Sequence, residues 1–325
     1  MKIIYLFLTF TIICASTFAQ TVFSDDFESY AVGSYIGTQS TYWTTWSGAT
    51  GGAEDAMVTD AYASSGSNSI AFSSTGAQGG PQDVVLDFGQ LYNDGIFTLE
   101  SDFYIMSGKN AYFNIQGSQT IGSIWALNVN MDNGQVVIDD GAQQASGAYT
   151  DQTWFTLKIE ANLTLGVWKA FIDNNLIGTW NNGTNTVASV DLYPIQNSDF
   201  YVDDISFGHQ PYTMPNLNAM VAGLNMGGTI AGQNVTPTIT IVNAGQTAIT
   251  DASVTLEYNG STTPQSISGV NIASTASYDI VLPSLSLTAG SSNVLAYITS
   301  INGGNDDDSS DDTLTQNINP VVPAA

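Results

Sequence analysis

Two aspartates interrupt apolar rows at the two ends of the first half of the chain. Asp25 alternates with phenylalanines, and Asp203 alternates with aromatic and aliphatic residues. Alternate residues of a strand share a face, so each carboxylate is predicted to point inward, where it could not stay charged without a partner. A Ca²⁺ ion could be that partner, with Asp26, Glu28 and Asp204 as additional ligands. The alternative is a bulge or strand end that returns each aspartate to water.

Tryptophans supply a second kind of candidate site, because aromatic rings stack on the apolar faces of sugars while polar side chains bind the hydroxyls. Trp43 and Trp46 lie in a segment rich in Thr and Ser that is predicted to be a loop. Trp154 is predicted to share the polar face of a strand with Thr156 and Lys158. The alternative is that these rings fill a core or cover its edge.

An acidic loop near the end of the chain is a third candidate. Five of the seven residues from Asp306 to Asp312 are aspartates. The loop lacks the central Gly and the final Glu of an EF-hand. It is predicted to be a solvated hairpin tip, with weak Ca²⁺ uptake as the alternative.

Catalytic constellations are incomplete. Glu100 and Asp102 begin a Glu-x-Asp-x-x-Glu pattern of the kind that glycosidases use, but Ile105 stands where the second Glu is required. The only imidazole, His209, has no nearby Ser or acid in the sequence and is predicted to be solvent-exposed. There is no Cys beyond Cys14, which excludes thiol catalysis and Cys/His zinc sites. The sequence therefore predicts a protein that is not an enzyme.

Charge restricts the partners. The formal net charge is −25, there is no Arg, and only Lys109, Lys158 and Lys169 are basic beyond the first twenty residues. Such a chain cannot neutralise phosphates, so no nucleic-acid partner is predicted. Repulsion also opposes anionic lipids and anionic glycans. A neutral or cationic glycan, polysaccharide or cell-surface component is favoured.

The first 19 residues are predicted to be a secretory signal peptide, with Lys2 before an apolar run that ends in a small residue at Ala19. A lipoprotein with lipid attached at Cys14 is the alternative, although Ile13 stands where a small residue is normally needed. No later segment has the length of apolar sequence that a spanning helix requires. The mature protein is predicted to be secreted or attached to the cell surface, associated with the outer membrane.

Short alternating runs of β-branched and aromatic residues, separated by Gly, Asn, Asp and Ser, predict strands throughout. All six tryptophans precede His209, and two prolines follow it at 211 and 215. We therefore predict an all-β protein with about a dozen strands in the first domain and seven in the second. The predicted boundaries are 1–19 for the signal peptide, 20–208 for the first β-sandwich, 209–216 for a linker, 217–319 for the second β-sandwich, and 320–325 for a tail or the start of a further region.

Several phrases of the first half resemble secreted concanavalin-like and laminin-G-like lectin modules, which have a jelly-roll β-sandwich. These phrases are Asp25–Tyr30, Tyr42–Trp46, Gly108–Asn114, Trp154–Lys158, Phe171–Leu176 and Asp199–Phe207. The second half resembles the immunoglobulin-like, cell-adhesion-related domains of bacterial surface proteins, through Ile230–Gly232, Val235–Asn243 and the acidic loop. The order of modules is similar to the front part of outer-membrane-protein-28-like proteins of the type IX secretion route.

The resemblance implies a non-catalytic binding or adhesion protein that holds glycan or polysaccharide through its first domain. Trp43, Trp46 and Trp154 are the predicted sugar-contacting residues. One alternative is a structural stalk whose activity lies in a C-terminal domain outside this sequence. A glycoside hydrolase-related enzyme is the other alternative.

Overall fold

The computed structural model describes residues 20–322, and the predicted signal peptide with Cys14 lies outside the described residues. The alternating segments of the first half form fifteen strands, more than the dozen expected, because short strands also form in segments rich in Ser, Thr and Gly. They are β1 (Gln20–Asp25), β2 (Trp43–Thr45), β3 (Met57–Thr59), β4 (Ser69–Ser73), β5 (Val84–Tyr92), β6 (Ile96–Ile105), β7 (Ala111–Gln116), β8 (Trp125–Asp132), β9 (Gln135–Asp139), β10 (Gln143–Ala148), β11 (Phe155–Asn162), β12 (Val167–Ile172), β13 (Asn175–Asn181), β14 (Val187–Leu192) and β15 (Asp199–Gln210).

These strands form two antiparallel sheets. Sheet 1 has the order β13-β12-β11-β6-β15-β4-β3, with β1 also paired to β15, and sheet 2 has the order β10-β9-β8-β7-β14-β5-β2. One continuous hydrophobic core, with side chains from both sheets, lies between them. One 3₁₀ turn, Ile36–Thr38, is the only helical element among residues 20–322. The first half is thus a two-sheet β-sandwich, as the alternation predicted, and it is of the jelly-roll type that the resemblance implied.

Turn chemistry sets the register of the hairpin between β8 and β9. Asp132 pairs with Gln135 across a two-residue turn, in which Asn133 has φ 52° and Gly134 has φ 72°. Two consecutive positive φ values are the requirement of a type I′ turn, which matches the twist of the flanking strands. An Asn-Gly pair between two alternating segments is the sequence signal for such a hairpin.

The second half forms a smaller sandwich. Its strands are β16 (Ala219–Asn225), β17 (Asn234–Val235), β18 (Thr238–Asn243), β19 (Ile249–Tyr258), β20 (Ser261–Ile272), β21 (Ser277–Val281), β22 (Leu285–Ser286), β23 (Ser292–Ile301) and β24 (Thr313–Ile318). A three-stranded sheet, β16-β18-β21, and a four-stranded sheet, β20-β19-β23-β24, enclose a second core, and β17 pairs with β22 at the side. The two main sheets contain the seven strands expected of an immunoglobulin-like sandwich.

The segment between the two sandwiches is packed rather than free. Strand β15 continues to Gln210, and β16 begins at Ala219. Tyr212 and Met214 from this segment pack on a small apolar cluster that joins both halves. The cluster consists of Leu165, Val167, Met220, Ala222, Val242 and Ala244. Among the described residues, no helix has the length and apolar character needed to cross a membrane.

Candidate functional site

Trp43 lies in the core and is not available to a ligand. Its side chain is 2% exposed, and its indole nitrogen donates a hydrogen bond of 3.0 Å to Oδ2 of Asp25. The prediction that Trp43 stacks on a sugar is therefore wrong. It failed because residues 43–45 form edge strand β2 rather than a loop, and Trp43 pairs in register with Leu86 of β5.

Asp25 is buried, as the alternation predicted, and it is 6% exposed. Besides Trp43, its carboxylate accepts hydrogen bonds from the hydroxyl of Tyr30 at 2.9 Å and from the backbone N–H of Phe27 at 3.0 Å. Burial raises the pKa of Asp25 despite these three donors. Protein donors already occupy both oxygens of Asp25, so its burial does not require a cation, and calcium binding there stays a prediction.

Asp203 is fully buried in the bulge where β15 departs from β6. Its carboxylate accepts backbone N–H groups from Ser64 at 2.7 Å, Ser65 at 3.2 Å and Asp204 at 2.8 Å. Burial raises the pKa of Asp203 to about 6. The predicted inward orientation is confirmed. Three backbone N–H groups already bind the carboxylate of Asp203, so its burial by itself does not require an ion.

Two of the three additional ligands predicted for calcium, Glu28 and Asp204, contact the same loop, residues 64–68, at different places. Glu28 accepts the backbone N–H groups of Ser67 and Asn68, at 2.7 and 2.6 Å. Asp204 accepts the hydroxyl of Ser65 at 2.9 Å. Asp26 accepts only the N–H of Glu28, at 3.2 Å. Glu28 and Asp204 order the loop through hydrogen bonds. Calcium binding by the three acids stays a prediction.

Trp154 lies on the outer face of sheet 1, just before β11, and is half-buried. Its ring contacts Tyr104 with 5.4 Å between centroids, and Tyr104 stacks on Tyr62 at 4.6 Å. Thr156 and Lys158 follow on the same half-buried face, as predicted. The ring of Trp154 therefore packs in an aromatic cluster on the outer face of its own sheet.

Trp46 lies on the opposite side of the domain, next to a tryptophan that the sequence analysis did not select. Its ring packs against Trp125, at the start of β8, with 6.2 Å between centroids and a tilt of 33°. Gly122 lies beneath Trp46 with φ 77°, and a Cβ there would approach the ring to 2.7 Å. Trp125 is 45% exposed. The two rings, hereafter the tryptophan pair, form an aromatic surface at one end of sheet 2.

A polar row continues from the tryptophan pair across the outer face of sheet 2. In the register of β7 and β8, Gln116 lies opposite Trp125, and Asn114 lies opposite Asn128. Tyr112 follows on the same face and donates its hydroxyl to Oδ1 of Asn128 at 2.7 Å. The alternate residues of β7 point into the core. One strand therefore separates an apolar inner row from a polar outer row.

Two carboxyl groups meet beside this row. Asp191 of β14 is 3% exposed and accepts Nδ2 of Asn114 at 2.7 Å. Burial and the adjacent carboxylate of Asp191 raise the pKa of Asp83 to about 8, and burial also raises the pKa of Asp191. The pair therefore holds one proton at neutral pH. The backbone N–H of Trp46 donates to the carbonyl oxygen of Asp83 at 2.9 Å, which ties this acid pair to the tryptophan pair.

The glycosidase-like residues do not assemble a catalytic site on sheet 1. Ile105 is fully buried in the core. Asp102 accepts the hydroxyls of Ser64 and Thr156, and Glu100 is exposed opposite Lys158 of β11. Asp102 thus has a structural role in holding the loop that contains Ser64.

His209 was predicted to be an exposed linker residue, and this is wrong. It belongs to β15, opposite Phe97, and its ring lies 4.8 Å from that of Tyr92. Its Nε2 is 2.9 Å from the carbonyl oxygen of Asp94. The strand continues further than the composition shift suggested, because β6 provides pairing partners up to Gln210.

Sequence reasoning missed Trp125 and the polar row, although a signal was present. The strand that begins at Trp125 alternates Asn128 and Asn130 with buried residues. Asn is unfavourable in strands, so repeated Asn at every second position indicates a face selected for polar contacts. Asp83 carried no local signal, because its proximity to Asp191 depends on the pairing of β5 with β14.

No family model and no curated protein matches this sequence. Solved structures with a related fold include a carbohydrate-binding module of Bacillus subtilis, with 14% identity over 51% of this chain and 95% of that chain and a TM-score of 0.35. A galectin of Caenorhabditis elegans has 15% identity over 41% and 94% of the two chains, with a TM-score of 0.31. An alginate lyase of polysaccharide lyase family 7 has 15% identity over 44% and 78%, with a TM-score of 0.33. Because all three scores are low, the activities of those proteins are not transferred to this chain.

Proposed function

We propose that this protein is a secreted or cell-surface, non-catalytic binding protein that holds a neutral glycan on the outer face of sheet 2. The observation that carries the proposal is the tryptophan pair, exposed at Trp125, beside a row of amide, hydroxyl and carboxyl groups. A sugar presents an apolar ring face and a rim of hydroxyls, and it needs this combination of partners.

Each part of the site has a defined role in this proposal. Trp125 stacks on one sugar ring, and Trp46 supports it from the side. The half-buried groups of Tyr112, Asn128 and Asn130 bind hydroxyls of the next sugar along the sheet. The acid pair acts as a fixed acceptor and donor, because one of its two carboxyls keeps a proton at neutral pH.

The charge of the site favours a neutral ligand over an anionic one. Asp83, Asp87 and Asp139 lie on or beside the same face, while the lysines among the described residues are engaged elsewhere. Lys109 donates to Asn197, Lys158 lies over the ring of Phe171, and Lys169 pairs with Glu160. Anionic polysaccharides would therefore be repelled at low salt.

A hydrolytic role for the acid pair does not fit its geometry. Glycosidases separate their two carboxyl groups by about 5–9.5 Å to admit the sugar and, in inverting enzymes, a water. The carboxyl groups of Asp83 and Asp191 instead interact directly, and the proximity of Asp191 adds to the burial that raises the pKa of Asp83 to about 8. Two carboxyl groups that share a proton stabilise the sheet face, which supports binding rather than cleavage.

Replacing Trp125 with Ala is expected to reduce retention on the polysaccharide that binds best by about 10-fold, because one stacked ring contributes on the order of 1 kcal/mol beyond area burial. The measurement is a pull-down of residues 20–325 on insoluble cellulose, chitin, mannan and xylan, with alginate as the anionic comparison. Trp154→Ala is the matched control, since it removes a half-buried tryptophan from the opposite face.

Equal losses with Trp125→Ala and Trp154→Ala would contradict the proposed face. Retention on none of the polymers would instead favour the structural stalk. If the wild-type protein released reducing sugar and Asp191→Asn did not, the proposal of a non-catalytic binding protein would be contradicted.

A further inference from the structure

Three aspartates of the acidic loop converge in the second domain. One carboxylate oxygen from each of Asp306, Asp311 and Asp312 lies within 4.8 Å of the others. All three residues are half-buried. The predicted solvated hairpin tip is therefore wrong for these three side chains, because the loop folds back on the start of β16.

The convergence leaves oxygen atoms without partners. The Oδ1 atoms of Asp306, Asp311 and Asp312 are buried and have no hydrogen-bond donor. Ionised carboxylates that lie close together without hydrogen-bond donors repel each other, and burial adds a desolvation cost for each charge. Lys169 lies near enough to Asp311 to oppose slightly the rise that burial causes in the pKa of that carboxyl, but it forms its salt bridge with Glu160, and among the described residues no lysine forms a salt bridge with this cluster.

Asn218 gives an independent indication that a ligand belongs here. It is fully buried, immediately before β16. Its Nδ2 donates to Oδ2 of Asp311 at 3.1 Å, while its Oδ1 is buried and has no partner. Both amide atoms are bonded to the same carbon, so this oxygen lies at the end of the side chain that contacts the cluster. Buried amide oxygens rarely stay unpaired.

We propose that Asp306, Asp311, Asp312 and Asn218 bind one Ca²⁺ ion. All four offer oxygen, the ligand type that calcium prefers. Three come from the acidic loop, and Asn218 lies immediately before β16. The set contains no nitrogen or sulfur ligand, which disfavours zinc. Loop and peptide oxygens or water would complete the six to eight ligands of the ion.

The ion would hold the acidic loop against the entry to the second domain. Hydrogen bonds already connect the two segments: Leu217 N–H donates to Asp307 at 2.9 Å, and Val221 N–H donates to the carbonyl oxygen of Asp311 at 3.1 Å. Met220 and Ala222, in the same stretch of β16, pack on Leu165 and Val167 of the first domain. Calcium would therefore stabilise the strand that joins the two sandwiches.

The test is thermal unfolding of residues 20–325 by calorimetry in EDTA and in 10 mM CaCl₂, with tryptophan fluorescence recorded in parallel. All tryptophans precede residue 181, so fluorescence identifies the transition of the first domain. We expect the other transition to rise by about 5–10 °C in calcium, as a site with a Kd on the order of 10⁻⁴–10⁻³ M would produce. Isothermal titration with CaCl₂ should give one ion per chain.

Asp311→Asn and Asp312→Asn, made separately, should each abolish the calcium-dependent rise. Asp307→Asn is the matched control: it removes one charge from the same loop but keeps an oxygen for Leu217, and it should leave the rise unchanged. No rise in wild-type protein would overturn the proposal. A rise that persists in both Asp311→Asn and Asp312→Asn, or one confined to the fluorescence transition, would also overturn it.

Discussion

Replacing Trp43 with Ala is expected to lower the free energy of unfolding of the first domain by about 3–5 kcal/mol, the usual cost of removing a large aromatic side chain from a core. Trp43 is 2% exposed and packs against Phe27, with 6.0 Å between ring centroids. The change also removes one of the three hydrogen bonds to the buried carboxylate of Asp25, and the loss of this hydrogen bond lowers the free energy of unfolding further.

Two further variants separate packing from hydrogen bonding. Trp43→Phe keeps a ring but removes the indole N–H, so we expect a smaller loss, about 1–3 kcal/mol. Trp154→Ala, at the half-buried position on sheet 1, is the control and should cost clearly less than Trp43→Ala. Urea unfolding followed by the fluorescence of the remaining tryptophans measures all three values. A loss below 1 kcal/mol for Trp43→Ala would contradict the buried position of this ring.

The Asp83–Asp191 pair predicts that the first domain loses stability as the pH rises. The ordinary pKa of Asp is 3.8, and that of Asp83 in the folded protein is about 8. The folded state therefore binds more protons than the unfolded state between about pH 4 and pH 8, and stability falls with rising pH across this window. Since one pKa unit corresponds to about 1.4 kcal/mol, the total effect is on the order of several kcal/mol.

Asp83→Asn should flatten this dependence and make the domain about 1–3 kcal/mol more stable than wild type at pH 9. The amide would replace the shared proton with a permanent donor toward Asp191, whose Oδ1 has no partner in the wild-type protein. Asp87→Asn, at an exposed position on β5, is the matched control and should keep the wild-type slope. The measurement is urea unfolding by tryptophan fluorescence at intervals from pH 4 to pH 9. A slope unchanged by Asp83→Asn would contradict a shared proton.

The two predictions test different interactions within one domain. Trp43 and Asp25 lie where edge strand β2 meets the opening strand, and the acid pair lies on the outer face of sheet 2. If the Asp83→Asn variant is stable but retains less polysaccharide, the acid pair takes part in binding. If retention is unchanged, its role is limited to holding β14 and its neighbours together.

The fold class could be predicted from sequence because strands have a recognisable pattern in the local sequence. Period-two alternation in segments such as Phe155–Ile159 indicated both the strand and its inward face, and the structure confirms both. The turn at Asn133 and Gly134 could be predicted for the same reason, since its positive φ values depend on the residues themselves. The burial of Asp25 and Asp203 also followed from alternation.

The hydrogen-bond partners of buried side chains were harder to predict than the face of the sheet to which those side chains point. Alternation predicted that Asp25 would point inward, but it could not reveal that Trp43 and Tyr30 would supply its donors from a distant strand and a turn. Hydrogen bonds account for the burial of Asp25, and calcium at this residue stays a prediction. In the acidic loop the reverse occurred: its composition suggested a solvated tip, and only the fold brought Asn218 against the aspartates.

The sequence by itself determined the all-β architecture and the direction of most strand side chains, because alternation and turn residues are properties of neighbouring residues. The net charge, a property of the whole chain, supports the prediction that the partner is not a nucleic acid. The tertiary structure alone decided which groups meet: Trp46 with Trp125, Asp83 with Asp191, and Asn218 with Asp311. Each of these contacts joins segments that are distant in sequence, and their distances depend on strand order and register. That pairing is fixed by the packing of the two sandwiches as a whole.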